Sequence, residues 1–293
     1  MATNNKQTKA ERQQSAREKA RQMQEDQRRQ EKRRSLMVRW GVVIGVVVVV
    51  AVVVGVIFMN SSRSIPDAGP APSPGNAQGG ITLTSTTELA PGDEGLGEVD
   101  ASKVEVSESS GQPPETIPGA EARPEGEPAQ IIIYADANCV HCHEFEAQNA
   151  DQLNQWLDAG EVTVEYRMLD FLDNPATGNY SSRAANASLC MAENSPENYN
   201  SFLEQIFASY AEHQGEGMSD DELQQLASGM GADIGSCMDG NEYRPYVKYT
   251  GAKAREAGIP GTPSVWVQGQ EWSTNAESGQ SFTEWAQGVI DES

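Results

Sequence analysis

Residues 130–146 read QIIIYADANCVHCHEFE, and the fold turns on how the two halves of this stretch are taken. The first half is a β-branched, aromatic-tipped run and predicts a strand from Gln130 to Tyr134. The second half sets Cys139 and Cys142 two residues apart, with two of the chain's three histidines, His141 and His143, interleaved. Beyond them Phe145, Leu153, Trp156 and Leu157 recur at roughly helical spacing. A helix therefore begins at the cysteines and ends near Gly160, so a strand feeds straight into the helix start that carries the pair.

Downstream, EVTVEYRML alternates Val162, Val164, Tyr166 and Met168 and predicts a second strand. Residues 181–258 show helical patterning in several pieces, one of them opened by a capping box of Ser219 with Glu222. TPSVWVQGQEW then reads as a strand running into a turn, with room for a hairpin partner. SFTEWAQGVID is a closing helix, boxed by Ser281 and Glu284. The order β-α-β, helices, β, α predicts an α/β sheet with an all-helical insertion over about 181–258. Trp156, Trp266, Trp272 and Trp285 read as packing residues, and His213 as a solvated residue at a helix end.

Upstream, residues 1–40 carry 12 Lys/Arg against 5 Asp/Glu, and 41–59 read GVVIGVVVVVAVVVGVIFM. The uncharged run is long enough to cross a ~30 Å hydrocarbon core as a helix. It is too long, and its basic head too large, for a cleaved signal peptide. Beyond Met59 there are 9 Lys/Arg against 38 Asp/Glu. The charge asymmetry predicts a cytoplasmic segment 1–40, a single plasma-membrane anchor at 41–59 and an extracytoplasmic remainder. The acidity of that remainder argues against a nucleic-acid partner. Residues 60–128, rich in Pro, Gly, Ser, Thr and acids, read as a flexible stalk, because such a composition buries too little apolar surface to offset its ordering entropy. A short strand around 81–84 or 103–106 is the one exception weighed. Residues 129–293 then form one domain that holds all four cysteines, Cys139, Cys142, Cys190 and Cys237. In an oxidising space an even cysteine count is read as paired.

Three chemistries compete for Cys139 and Cys142. Structural zinc needs four ligands, and Cys190 and Cys237 make no second knuckle, so no metal is expected. A purely structural bridge across two residues removes little unfolded-chain entropy. A redox dithiol has a cause for each part. Cys139 at a helix N-terminus gains thiolate stability from unpaired N–H groups and the helix dipole. His141, as an imidazolium or donor, adds to it, and Cys142, one turn in, can resolve a mixed disulfide. A more stable thiolate favours the reduced form and makes the disulfide a stronger oxidant.

With these motifs in view the chain resembles the thioredoxin fold, and its helical insertion resembles the DsbA type of thiol:disulfide oxidoreductase. CVHCHEFE is close to that family's C-P-H-C followed by an aromatic-Glu pair, here Phe145 and Glu146. GTPS is similar to its cis-proline loop, which implies that Thr262 and Pro263 lie opposite the cysteines. The anchor, acidic segment and extra cysteine pair are similar to membrane-tethered actinobacterial versions. Two departures stand out. Val140 replaces the usual proline, and Ile133 stands where many relatives carry a buried acid, so Glu146 is the expected substitute proton acceptor for Cys142. Asp136 reads as a strand-end turn residue. Cys190 and Cys237 bracket 46 residues of the insertion. A structural disulfide is expected there, with an electron relay as the alternative.

The expected function is insertion of disulfides into secreted or cell-envelope proteins, with a membrane redox partner that reoxidises the dithiol and no bound cofactor. A reductase or isomerase uses the same residues in the other direction. A non-catalytic, tethered binding or sensor domain is the reading from another class.

Overall fold

Ile131, Ile132 and Ile133 are almost wholly buried, because their strand lies inside a six-stranded mixed sheet. The structure is a computed structural model that describes residues 64–106, 111–277 and 279–292, together with Met23. In chain order its strands are β1 (Ala68–Pro70), β2 (Ile81–Ser85), β3 (Glu88–Leu89), β4 (Glu98–Asp100), β5 (Ala129–Ala135), β6 (Val162–Met168), β7 (Ser264–Val267) and β8 (Gln270–Glu271). The α-helices described are α1 (Val140–Asp158), α2 (Tyr180–Asn194), α3 (Tyr199–Ala208), α4 (Tyr210–His213) and α5 (Asp220–Gly229). They continue with α6 (Gly235–Asp239), α7 (Arg244–Glu256), α8 (Trp272–Asn275) and α9 (Phe282–Asp291). Residues Ile65–Ser293 make up one compact unit.

The sheet order is β3-β2-β6-β5-β7-β8. Only β5 and β6 run parallel, joined through α1, since parallel neighbours need a crossover. β7 pairs antiparallel with β5, and β8 is its hairpin partner. This is the expected α/β order of a thioredoxin-like fold, with helices α2 to α7 inserted between β6 and β7. Both predicted capping boxes form, at Ser219 with Glu222 and at Ser281 with Glu284. Phe145, Trp156, Trp272 and Trp285 gather around Phe282, which locks α1 against α8 and α9.

The stalk reading of 60–128 needs correction. Residues 64–106 are structured, and β2 inserts beside β6 with Ile81 opposite Tyr166 and Leu83 opposite Val164. Ile81, Leu83 and Val99 are buried in the main core. A two-stranded ribbon of β1 and β4 lies against α7, where Lys248 Nζ donates to the Ile65 carbonyl at 3.1 Å and pairs with Asp67. The hydroxyls of Tyr246 and Tyr249 donate to the carbonyls of Asn76 and Ala77 at 2.8 and 2.7 Å. Gly79 has φ +87, and a Cβ there would lie 2.4 Å from Thr250 Oγ1. The glycine is thus a close-approach residue rather than a sign of slack chain. Composition misled because this segment does not build a core of its own; its few apolar side chains complete one supplied by the rest of the unit. Of the two candidate strands weighed, 81–84 forms, whereas 103–106 does not: Lys103 ends a 3₁₀ turn over Ala101–Lys103, and no strand follows it through 106.

β6 is buried along its whole length instead of alternating, with α1 and α7 both packed against it. Its polar residues pair inside the molecule. Glu165 accepts from Arg167 Nε at 2.6 Å, and Arg167 also donates to the Tyr134 hydroxyl and the Pro118 carbonyl. Of the other sequence expectations, the basic segment 1–40 (Met23 apart), the anchor 41–59 and residues 60–63 and 107–110 lie outside the described residues. Among those described, no helix is long and apolar enough to cross a membrane.

Candidate active site

β5 ends at Ala135, and a tight turn carries the chain to α1. Asp136 shapes this turn: its carboxylate accepts from the Asn138 N–H at 2.8 Å and its carbonyl from the Cys139 N–H at 3.1 Å. Cys139 is the N-cap residue of α1, in extended backbone conformation, and Cys142 lies in the first turn. Both thiols are free and buried. The Thr262–Pro263 peptide at the other side of the site is cis, as expected, and the Cys139 thiol donates to the Thr262 carbonyl at 3.3 Å. The structure thus brings together Cys139, Cys142 and Thr262 from segments 123 residues apart.

The two thiols are driven apart in acidity. The Cys142 thiol, helped by Thr262 and by the N–H groups of Cys142 and His141, holds Cys139 down to about 5 against the opposing effect of burial. When Cys139 loses its proton its bond to the Thr262 carbonyl goes too, and the helix-start donors hold the thiolate. Burial, with the neighbouring Cys139, pushes Cys142 up. One sulfur is therefore a ready thiolate and the other a retained thiol.

His141 takes a different place from the expected one. Its side chain is largely exposed, and Nδ1 lies 3.0 Å from Glu144 Oε2, which raises its pKa. Cys139 is a lesser influence on it, so the imidazole is chiefly Glu144's partner, while its backbone N–H serves the thiolate.

Glu146 is buried and accepts from the Tyr166 hydroxyl at 3.0 Å; burial pushes it up to about 8. Burial thus favours its protonated form. A second acid, read from sequence as a turn residue, is fully buried as well. Asp136 accepts from the Leu172 N–H at 2.9 Å as well as from Asn138, and burial lifts it to about 6, with Cys139 contributing. Its position three residues before Cys139 at a strand end was the available signal; its depth was not readable from composition.

A cavity of about 620 Å³ opens over Cys139, walled by Val140, Phe171, Leu172, Tyr210, Arg255 and the Pro260–Thr262 loop. Val140 and Leu172, 38% and 41% exposed, set two bare aliphatic side chains beside the thiol. Apart from Met23 and Val106, no other large apolar residues among those described stand so open. Away from the site, Cys190 and Cys237 form a disulfide between α2 and α6, with Cα atoms 5.9 Å apart and both residues buried. His143 Nδ1 lies 2.9 Å from the Phe207 carbonyl, and His213 closes α4. Among the described residues no group of three or more His, Cys, Asp and Glu is placed to hold a metal ion.

A family model described as thioredoxin matches residues 125–286. The serine/threonine-protein kinase PknE of Mycobacterium tuberculosis is 33% identical over 150 residues, which are 47% of this chain and 26% of that protein. The chain thus spans about a quarter of the length of this curated relative, and the PknE of Mycobacterium bovis gives the same figures. Among solved structures, oxidised DsbA of Mycobacterium tuberculosis is 24% identical with a TM-score of 0.50, covering 60% of this chain and 90% of that one. Reduced DsbG of the same organism has the same identity and TM-score, covering 60% and 85%. At that identity the two structures speak for the fold alone.

Proposed function

The chain belongs to the thioredoxin family, and from that premise we propose that it is an extracytoplasmic thiol:disulfide oxidoreductase that inserts disulfides into secreted or cell-envelope proteins. The observation that carries the reading is the pair of free thiols at the start of α1, with Cys139 against the Thr262 carbonyl of the cis-proline loop beneath an open cavity. In the oxidised enzyme a substrate thiolate attacks Cys139 Sγ. The Cys139–Cys142 bond breaks, and its electron pair leaves on Cys142, which takes up a proton. Asp136 and Glu146, both buried acids with raised pKa values, are the candidates to supply it. The substrate's second thiolate then attacks the substrate sulfur of the mixed disulfide and expels Cys139 as a thiolate. Two electrons pass from the substrate dithiol to the enzyme. A low-pKa Cys139 is a good leaving group and favours this direction, because the reduced enzyme is the stabilised form. The reduced dithiol must then lose two electrons to an acceptor, which we assign to a membrane redox partner.

The location rests on the sequence. The basic residues 1–40, the apolar run 41–59 and the acidic remainder support a plasma-membrane anchor with the dithiol outside.

A Cys142→Ala variant tests both parts. It should accumulate mixed disulfides with secreted cysteine-containing proteins, seen as ladders on non-reducing gels, and Cys139→Ala should show none. Ladders made of cytoplasmic proteins would overturn the location. If neither variant traps anything while the wild-type pair stays oxidised and inert, the tethered binding domain becomes the better reading.

A further inference from the structure

The side chains around the cavity over Cys139 depart from the acidic composition of the chain. The sequence holds 43 Asp and Glu against 21 Lys and Arg, yet no carboxylate side chain lines this cavity. Its charged wall is Arg255, on the last turn of α7 just before the Pro260–Thr262 loop. The guanidinium lies 4.6 Å from the centroid of the Phe171 ring. Behind it, Asp170 Oδ1 stands 3.5 Å from one terminal nitrogen, a single long contact. Gly251 leaves room for this arrangement, since a Cβ there would lie 2.5 Å from Asp170 Oδ1 and 3.1 Å from Arg255 Nη1.

A guanidinium has five N–H donors in a planar fork that matches a carboxylate in bidentate fashion. The described partners of Arg255 are one face-on ring and one long contact, and its side chain remains 43% exposed. The other cation-capable group in the wall, His141, is already engaged with Glu144. Phe171 and Asp170 therefore aim Arg255 rather than satisfy it.

We propose that Arg255 receives a carboxylate of the substrate chain, so that the site favours a cysteine with Asp or Glu close beside it. The apolar pair Val140 and Leu172 supplies sequence-tolerant contact, and Arg255 supplies the preference. This inference rests on the exchange reading above. An interaction of this kind at a half-exposed site acts on association as much as on holding, and weakens with salt.

The test uses the purified full-length protein in its oxidised form and three dithiol peptides capped at both ends, which carry Glu, Gln or Lys next to the first cysteine. Expected is a kcat/KM for the Glu peptide about three- to fivefold above that for the Lys peptide, the range of a half-exposed ion pair. The preference should vanish in Arg255→Gln, survive in part in Arg255→Lys, and shrink as ionic strength rises. The thiolate titration of Cys139 should be the same in all three proteins. Equal rates for the three wild-type peptides, or an undiminished preference in Arg255→Gln, overturns the inference and leaves the exchange reading standing. A shifted Cys139 titration in Arg255→Gln also overturns it, because Arg255 would then act on the thiol. If no peptide is oxidised by any of the proteins, the exchange reading falls and this inference with it.

Discussion

At the scale of single residues, Cys139 and Cys142 share one helical turn, yet the Cys142 thiol, with the helix-start N–H groups, lowers the pKa of Cys139 while burial raises that of Cys142. Titration of the reduced protein by thiolate absorbance should show one step near 5, and a midpoint above 7 would contradict the geometry. The pKa of Cys139 is lowered from an unfolded value of about 8.5, so its contribution to stability is fully present above that value. It is lost as pH falls through about 5. The melting temperature of the reduced protein, compared with the oxidised one, should therefore rise between pH 5 and 8.5. Cys142→Ala should raise the Cys139 midpoint more than His141→Ala does, because the thiol is the foremost influence and the imidazole belongs to Glu144. The dithiol was legible in sequence because spacing alone places both sulfurs on one turn. Asp136 and Arg255 were not, because their roles depend on burial and on partners 36 and 85 residues away, Leu172 and Asp170.

Among the elements, the insertion owes its closure to the bond between α2 and α6. Both cysteines are buried in helices, which suits a structural tie better than an exposed relay. Closing a loop of this size stabilises the fold by roughly 4 kcal/mol in the chain-entropy account. Replacing Cys190 and Cys237 by Ser should lower the melting temperature by about 10 °C, while alkylation of Cys139 at neutral pH keeps its rate. A lost Cys139 reactivity in a folded variant would favour the relay instead. The helices of the insertion and both capping boxes were readable from periodicity and from Ser-x-x-Glu spacing. β2 was readable only as an alternation of Ile81 and Leu83, without sight of the strand that would receive it.

For the whole molecule, the misread stalk is the instructive case. Composition says whether a segment can fold by itself, and 65–106 does not need to. Ile81, Leu83 and Val99 leave water in a core built from other elements, and burial of each such side chain contributes about 1.5–3 kcal/mol. A chain that starts at residue 65 should melt cooperatively. One that starts at residue 129 loses β2, bares an edge of β6 and should aggregate or lose its near-ultraviolet circular dichroism. An identical melting profile for the two would make the segment an ornament. The sheet order has a further consequence for a chain that grows from its amino end. Leu83 is made long before Val164, its partner across the ladder, and the Thr262 carbonyl arrives after the whole helical insertion. Cys139 and Cys142 are thus paired neighbours from the moment of synthesis, but for most of that time they have no roof. Cys190 in its turn emerges with only those two thiols for company, because Cys237 is still to come. Chemistry is present in the nascent chain before there is an architecture to govern it, and the late helix and loop that carry Cys237 and Thr262 are what bring it under control.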